Sequence, residues 1–223
     1  MPDAESRHAL VFALAHEVGN HLAGIRLEAH LLDESLGAAA LARASVAIDS
    51  LAGQAGPWLA LLRPLLAPEP ARTARVSVAS VLDGVRRQLE EDGLGGRAVH
   101  VEIASDAAEE RIAFDGLHAL LMVLVGSPET LPPGRAPIAL RLASCAGAGA
   151  VAGAGGGEVE VVCELPGEAF GADAGDGAGG QPALRGRDLA VALARVLVAD
   201  AGGGVDVESG DGCARVRLRL PRG

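Results

Sequence analysis

The sequence predicts an α + α/β protein: an N-terminal two-helix hairpin followed by an α/β sandwich with a mostly antiparallel sheet. Three observations predict it. Residues 5–66 are rich in Ala and Leu at helical spacing, with one break at Gly37. The segment Ala67-Pro68-Glu69-Pro70 is a stiff linker. After it, short apolar helices alternate with Val- and Leu-rich strands. The boundaries implied are 1–68 for the hairpin and 72–223 for the α/β part.

The helices come first. Residues 5–36 read as one long helix, weakened at Gly19 and Gly24, with Gly37 as its C-cap. A second runs from about Ala38 to Leu66; Gly56-Pro57 should kink or interrupt it, and Pro64 sits near its end. A lone hairpin has little partner surface for its apolar stripes, so a second copy is expected to complete a four-helix bundle. Beyond the linker, Val76–Glu91 reads as a helix with Val78, Val81, Leu82, Val85 and Leu89 on one side. Strands are expected at Arg97–Ile103, Pro137–Ala143, Glu158–Leu165, Gly204–Ser209 and Ala214–Leu220, and further helices at Asp115–Val125 and Arg187–Ala199. Cys145–Gly157 reads as a hairpin loop and 166–183 as a mobile glycine-rich loop.

Composition narrows the function. Aromatic residues make up 2% of the 223, so the core must be aliphatic, and base stacking or an aromatic-lined pocket is excluded. All 19 basic residues are Arg and the net charge is −10. That balance argues against nucleic-acid binding, and the absence of Lys excludes Schiff-base and P-loop chemistry. No apolar run reaches the ~18 residues of a membrane span, and Met1–Glu5 lacks the order of a signal peptide. A cytoplasmic protein is expected. Cys145, Cys163 and Cys213 lack metal-ligand spacing and read as free thiols.

The first helix carries the chemistry. On a wheel of ~100° per residue with Leu14 at zero, Leu10, Val18, Ile25 and Leu32 fall within roughly 40° of it. This is the stripe expected to drive dimerisation. His21 falls on the same side and reads as a core histidine. His16 points the opposite way, followed by Glu17 and sharing its face with Asn20, Ala23, Leu27 and His30. Ala23 and Leu27 leave an exposed apolar patch where a solvated face should be charged. His8, His100 and His118 fit no pattern. A zinc-protease motif needs a second histidine at i+4, whereas His21 is at i+5, and no Gly-x-Ser-x-Gly elbow is present.

The run His16-Glu17-Val18-Gly19-Asn20-His21-Leu22 resembles the phospho-accepting box of bacterial sensor histidine kinases, with His21 in place of the usual Pro. The resemblance continues in order. Val76–Glu91 looks like the opening helix of the kinase ATPase-like domain, Phe114–Ser127 like its asparagine-box helix, Gly186–Ser209 like its last glycine box, and Val216–Pro221 like its closing strand. It implies a degenerate ATP site. Val123 and Ser127 stand where asparagines would hold magnesium and phosphates. Pro166-Gly167-Glu168 replaces the Asp-x-Gly-x-Gly box, with Asp173 and Asp176 only later. Asp188 would repel a triphosphate from the helix N-terminus that normally attracts it.

A phospho-accepting helix beside such a domain is similar to the histidine phosphotransferases of phosphorelays. The resemblance implies a cytoplasmic homodimer that passes a phosphoryl group between response-regulator receiver domains through His16. It needs no cofactor of its own, since the receiver brings magnesium. Glu17 would orient the ring, Asn20 would hold a hydrolytic water, and Ala23, Leu27 and His30 would contact the partner. The alternatives are a divergent but active sensor histidine kinase, or a non-catalytic dimeric scaffold that sequesters a regulator.

Overall fold

The computed structural model describes residues 4–32, 37–66, 75–91, 98–126, 137–145, 157–166, 186–210 and 212–222. The expected linker at 67–70 and the two glycine-rich loops lie almost wholly outside them.

Two long antiparallel helices open the chain: α1, Ala4–His30, and α2, Ala38–Leu66. The α2 helix continues through Pro57 and Pro64, which corrects the expected interruption. An interior proline costs roughly 3 kcal/mol. Burial of Trp58, Leu61 and Leu65, each at most 1% exposed, offsets it.

A two-residue strand β1, Val76–Ser77, leads into α3, Val78–Glu91. The five apolar positions expected on one side of α3 are all buried. Strand β2, Val99–Ile103, and a short β3, Arg111–Ile112, precede α4, Leu117–Gly126. Next come β4, Ile138–Cys145, and β5, Glu158–Pro166, then α5, Gly186–Asp200, and the hairpin β6, Gly204–Gly210, and β7, Cys213–Pro221. The main sheet has the order β2-β4-β5-β7-β6 and is antiparallel except for the β2–β4 pair. Strands β1 and β3 form a separate pair, Val76↔Ile112 and Ser77↔Arg111, which the sequence reading lacks.

Alternation decides the two sheet faces. Inward residues such as Leu140, Val161, Cys163, Val216 and Leu218 are buried. The Cys163 thiol is pushed up to about 12 by that burial, so it is a core residue and no nucleophile. Outward residues form a ladder of charge: Arg215 to Glu164 at 2.7 Å, Arg141 to Glu102 at 2.8 Å and Arg219 to Asp206 at 2.6 Å. Many of the arginines are spent here, paired across strands.

The turn after α5 is a Schellman close. Gly203 N–H donates to Val198 O at 2.8 Å and Gly202 N–H to Ala199 O at 3.0 Å. Gly202 has φ 84°, and a Cβ on Gly203 would overlap the Arg219 carbonyl oxygen. These glycines are therefore structural, whatever they resemble.

One hydrophobic core runs through the whole molecule. Leu10, Leu14 and Val18 of α1 and Trp58, Leu61 and Leu65 of α2 join the same cluster as α3, α4, α5 and the sheet. A polar tie closes it. Arg7 of α1 pairs with Asp200 at the end of α5 at 2.8 Å through both carboxylate oxygens, and donates to the orphan Leu65 carbonyl of α2 at 3.0 Å. The two side chains are 23% and 16% exposed, so solvent screens them only in part.

This corrects the reading of the α1 stripe. Leu10, Leu14 and Val18 are covered by the chain itself, whereas Ile25 is half-buried and Leu32 is 40% exposed. Leu22 (53%), Leu31 (57%), Leu41 (41%) and Val46 (68%) are also open. Of that stripe, only the part toward the hairpin turn still lacks a cover.

Two outcomes follow for the Arg7 tie. Arg7→Ala should lower stability by about 1–3 kcal/mol, since it strands Asp200 and an uncapped carbonyl. Arg7→Ala with Asp200→Ala should cost less than the sum of the single changes. Urea unfolding monitored by circular dichroism measures both; full additivity would show that the pair is not coupled.

Candidate functional site

The middle of α1 presents two faces. On one, Glu17 is 3% and His21 4% exposed, one helical turn apart. The His21 Nε2 atom has no hydrogen-bond partner among the described residues. On the other, His16 and Asn20 are exposed, and Asn20 Nδ2 lies 3.3 Å from His16 Nδ1. Consecutive helical residues diverge by ~100°, which places His16 and Glu17 in different environments. His16 projects into solvent, where a second protein can reach it; His21 does not.

The carboxylate that the sequence reading gives to the His16 ring is thus on the core side, and the side chain beside Nδ1 is the Asn20 amide. Asn20 is the only asparagine among the 223 residues.

The surface below His16 is largely apolar, with the exposed Arg26 at its edge. Ala23 is exposed, Leu27 is 62% exposed, and His30 ends the helix on the same side. One residue was missed. Phe12, one turn before His16, is 72% exposed. Its i−4 spacing from His16 is the signal that places it on this face. Apart from Ile103, every large apolar side chain left exposed among the described residues belongs to the hairpin.

Two sets of these residues are distinct. Phe12, Ala23 and Leu27 share the His16 direction. Leu22, Ile25 and Leu32 lie roughly 120° or more from His16 on the wheel. One helix therefore carries two separate sticky faces. Of the remaining histidines, His8 and His100 are exposed, while His118 is half-buried beside Gly84 and burial holds its pKa below the usual value.

The resemblance expects nucleotide ligands on α4. Val123 is 1% exposed and lines a narrow gap with Met122 and Gly126, closed on the far side by Gly53, Gln54, Pro57 and Trp58 of α2. That face of α4 is thus packed against the hairpin. Asp188 is exposed in the first turn of α5. Ser127, Asp173 and Asp176 lie outside the described residues. No group of three or more potential metal ligands occurs among the described residues, and no described helix is long and apolar enough to cross a membrane.

No protein-family description and no curated protein matches this chain. Solved structures do. A bacterial phosphotransferase at 1.7 Å resolution aligns over 98% of both chains, with TM-score 0.53 and 17% identity. The Acinetobacter baumannii histidine kinase AdeS aligns over 93% of this chain and 94% of its own, with TM-score 0.51 and 12% identity. The chain has the fold of a histidine-kinase core. Full-length ShkA, solved in complex with AMPPNP, shares that fold over 96% of this chain but 45% of its own, with TM-score 0.54 and 17% identity. The fold thus extends through the hairpin as well as the sandwich.

The double role of α2 gives a test. Trp58→Ala should cost about 3–5 kcal/mol, as for any large aromatic removed from a core. Because Trp58 closes the gap over Val123, thermal unfolding of this variant should move the signals of hairpin and sandwich down together. Two separate transitions in wild type would show that the core does not couple them.

Proposed function

We propose that the protein is a histidine phosphotransferase of a two-component phosphorelay. It takes a phosphoryl group from the aspartyl phosphate of one receiver domain onto His16 and passes it to the aspartate of another. The observation that carries this reading is the exposed His16 on a largely apolar face of a histidine-kinase-type hairpin. The reaction asks little of the relay protein: one imidazole nitrogen attacks phosphorus in line, and the receiver brings its own magnesium. Phe12, Ala23, Leu27 and His30 supply area for the receiver to dock. Association rests there mainly on apolar contact, with the exposed Arg26 at the edge of the face.

In this reading the sandwich does not use ATP. Val123 offers no side-chain oxygen to a metal, and α2 stands over it across a narrow gap. Asp188 places a negative charge where a phosphate would approach. The second copy of a homodimer covers the open end of the hairpin, through Leu22, Leu32, Leu41 and Val46.

Labelling, stability, nucleotide binding and sedimentation test these statements. With a receiver domain carrying radiolabelled aspartyl phosphate, acid-labile label should appear on the wild type and on His21→Ala, and be absent from His16→Ala. His16→Ala should remain as stable as wild type within ~0.5 kcal/mol, since the side chain is exposed. Label retained by His16→Ala and lost by His21→Ala would reverse the assignment.

Calorimetry with ATP and magnesium should show no binding. A dissociation constant below ~100 µM, about 5.5 kcal/mol of binding, together with labelling from ATP, would favour an active kinase instead. Sedimentation should give a dimer at micromolar concentration, and Leu32→Glu should dissociate it by burying an unpaired charge, at a cost of about 3–5 kcal/mol. A wild-type monomer would remove the second copy from the proposal.

A further inference from the structure

The relay chemistry leaves one question open on this surface: what holds the His16 ring in the form that can attack. A neutral imidazole carries its proton on one nitrogen and its lone pair on the other, and only the lone pair is nucleophilic. Nδ1 lies beside the Asn20 amide at 3.3 Å, against the chain's own helix. Nε2 is the ring nitrogen further from the backbone, and so the one more open to an approaching receiver. For Nε2 to carry the lone pair, Nδ1 must carry the proton, and that proton needs an acceptor. Glu17 is 3% exposed and leaves the helix about 100° away from His16, toward the core. The Asn20 side chain has an acceptor, Oδ1, and a half-turn about its terminal bond exchanges Oδ1 with Nδ2 at the same position.

Resting on the relay reading of His16, we propose that Asn20 is the positioning residue of the site. Its Oδ1 accepts the Nδ1–H of His16, fixes the tautomer and leaves the Nε2 lone pair facing the partner. In the transfer, the Nε2–P bond forms as the bond from phosphorus to the receiver aspartate oxygen breaks. The bonding pair leaves with the carboxylate. The proton stays on Nδ1 throughout, and the positive charge gained by the ring is stabilised by Oδ1. Onward transfer reverses these steps, so the relay needs no separate base. The chain holds a single asparagine in 223 residues, and it stands one helical turn from this histidine.

The test uses the full chain labelled with ¹⁵N-histidine. Long-range ¹H–¹⁵N correlation at a pH where the ring is neutral reports which nitrogen carries the proton, and His16→Gln assigns the signal. Wild type should show Nδ1–H at His16. Asn20→Ala should shift it toward Nε2–H, while Asn20→Asp, which still offers an acceptor, should retain Nδ1–H.

Phosphoramidate then serves as a partner-free donor, losing ammonia as the ring is phosphorylated. Label on His16 should be Nε2-linked by ³¹P spectroscopy. It should form about tenfold more slowly in Asn20→Ala, the factor that one ordinary hydrogen bond represents, and recover in Asn20→Asp. A wild-type Nε2–H tautomer, or a tautomer and rate unmoved by Asn20→Ala, would overturn the inference and leave the relay reading standing. A tautomer that follows Asn20, in a protein that accepts no phosphoryl group from any receiver, would overturn the relay reading instead.

Discussion

The packing of α2 onto α4 is the contact on which the rest of the molecule depends. Trp58 stands at its centre, facing Met122 and Val123 across a narrow gap. Leu61 and Leu65 extend it, and Arg7 closes the end by holding the last turn of α2 and the C-terminus of α5 together. Because the core is continuous, the hairpin is part of the same packed body as the sandwich. This fixes which side of α1 is inside. Leu10, Leu14, Glu17, Val18 and His21 turn toward the core, and His16 is left pointing out.

The same contact distributes the remaining apolar surface. The sandwich covers only the N-terminal half of α1 and the C-terminal half of α2. The far end of the hairpin keeps Leu22, Leu32, Leu41 and Val46 exposed, while Phe12 and Leu27 flank His16 on a different side. Exposed apolar area on this scale marks contact surfaces. A single helix can carry two separate apolar faces because its side chains radiate in separate directions.

Charge is handled on another surface. The outer face of the sheet pairs Arg141, Arg215, Arg217 and Arg219 with Glu102, Glu164, Glu208 and Asp206. Exposed pairs of this kind contribute little stability each, about 0–1 kcal/mol. They do neutralise most of the arginine on that face, which leaves no broad basic patch there for a polyanion. The His16 face is largely apolar, with Phe12 and Leu27 exposed on it.

The sequence by itself determined the directions. Helical periodicity places His16 and His21 on opposite sides of α1, and alternation gives β4, β5 and β7 their inner and outer faces, because both follow from backbone geometry within one element. It could not determine what lies in each direction. Leu14 and Leu32 share one stripe, yet the first is fully buried by the chain's own sandwich and the second is 40% exposed. Strands β1 and β3 have two residues each, too few for any pattern, and exist only through their pairing with one another. Pro57 reads locally as a break and is overridden by the burial of Trp58 beside it. Glu17 and Asn20 both read as neighbours of His16; the core drew in the carboxylate and left the amide at the ring, since which face of a helix is covered is settled by long-range packing and not by spacing along the chain.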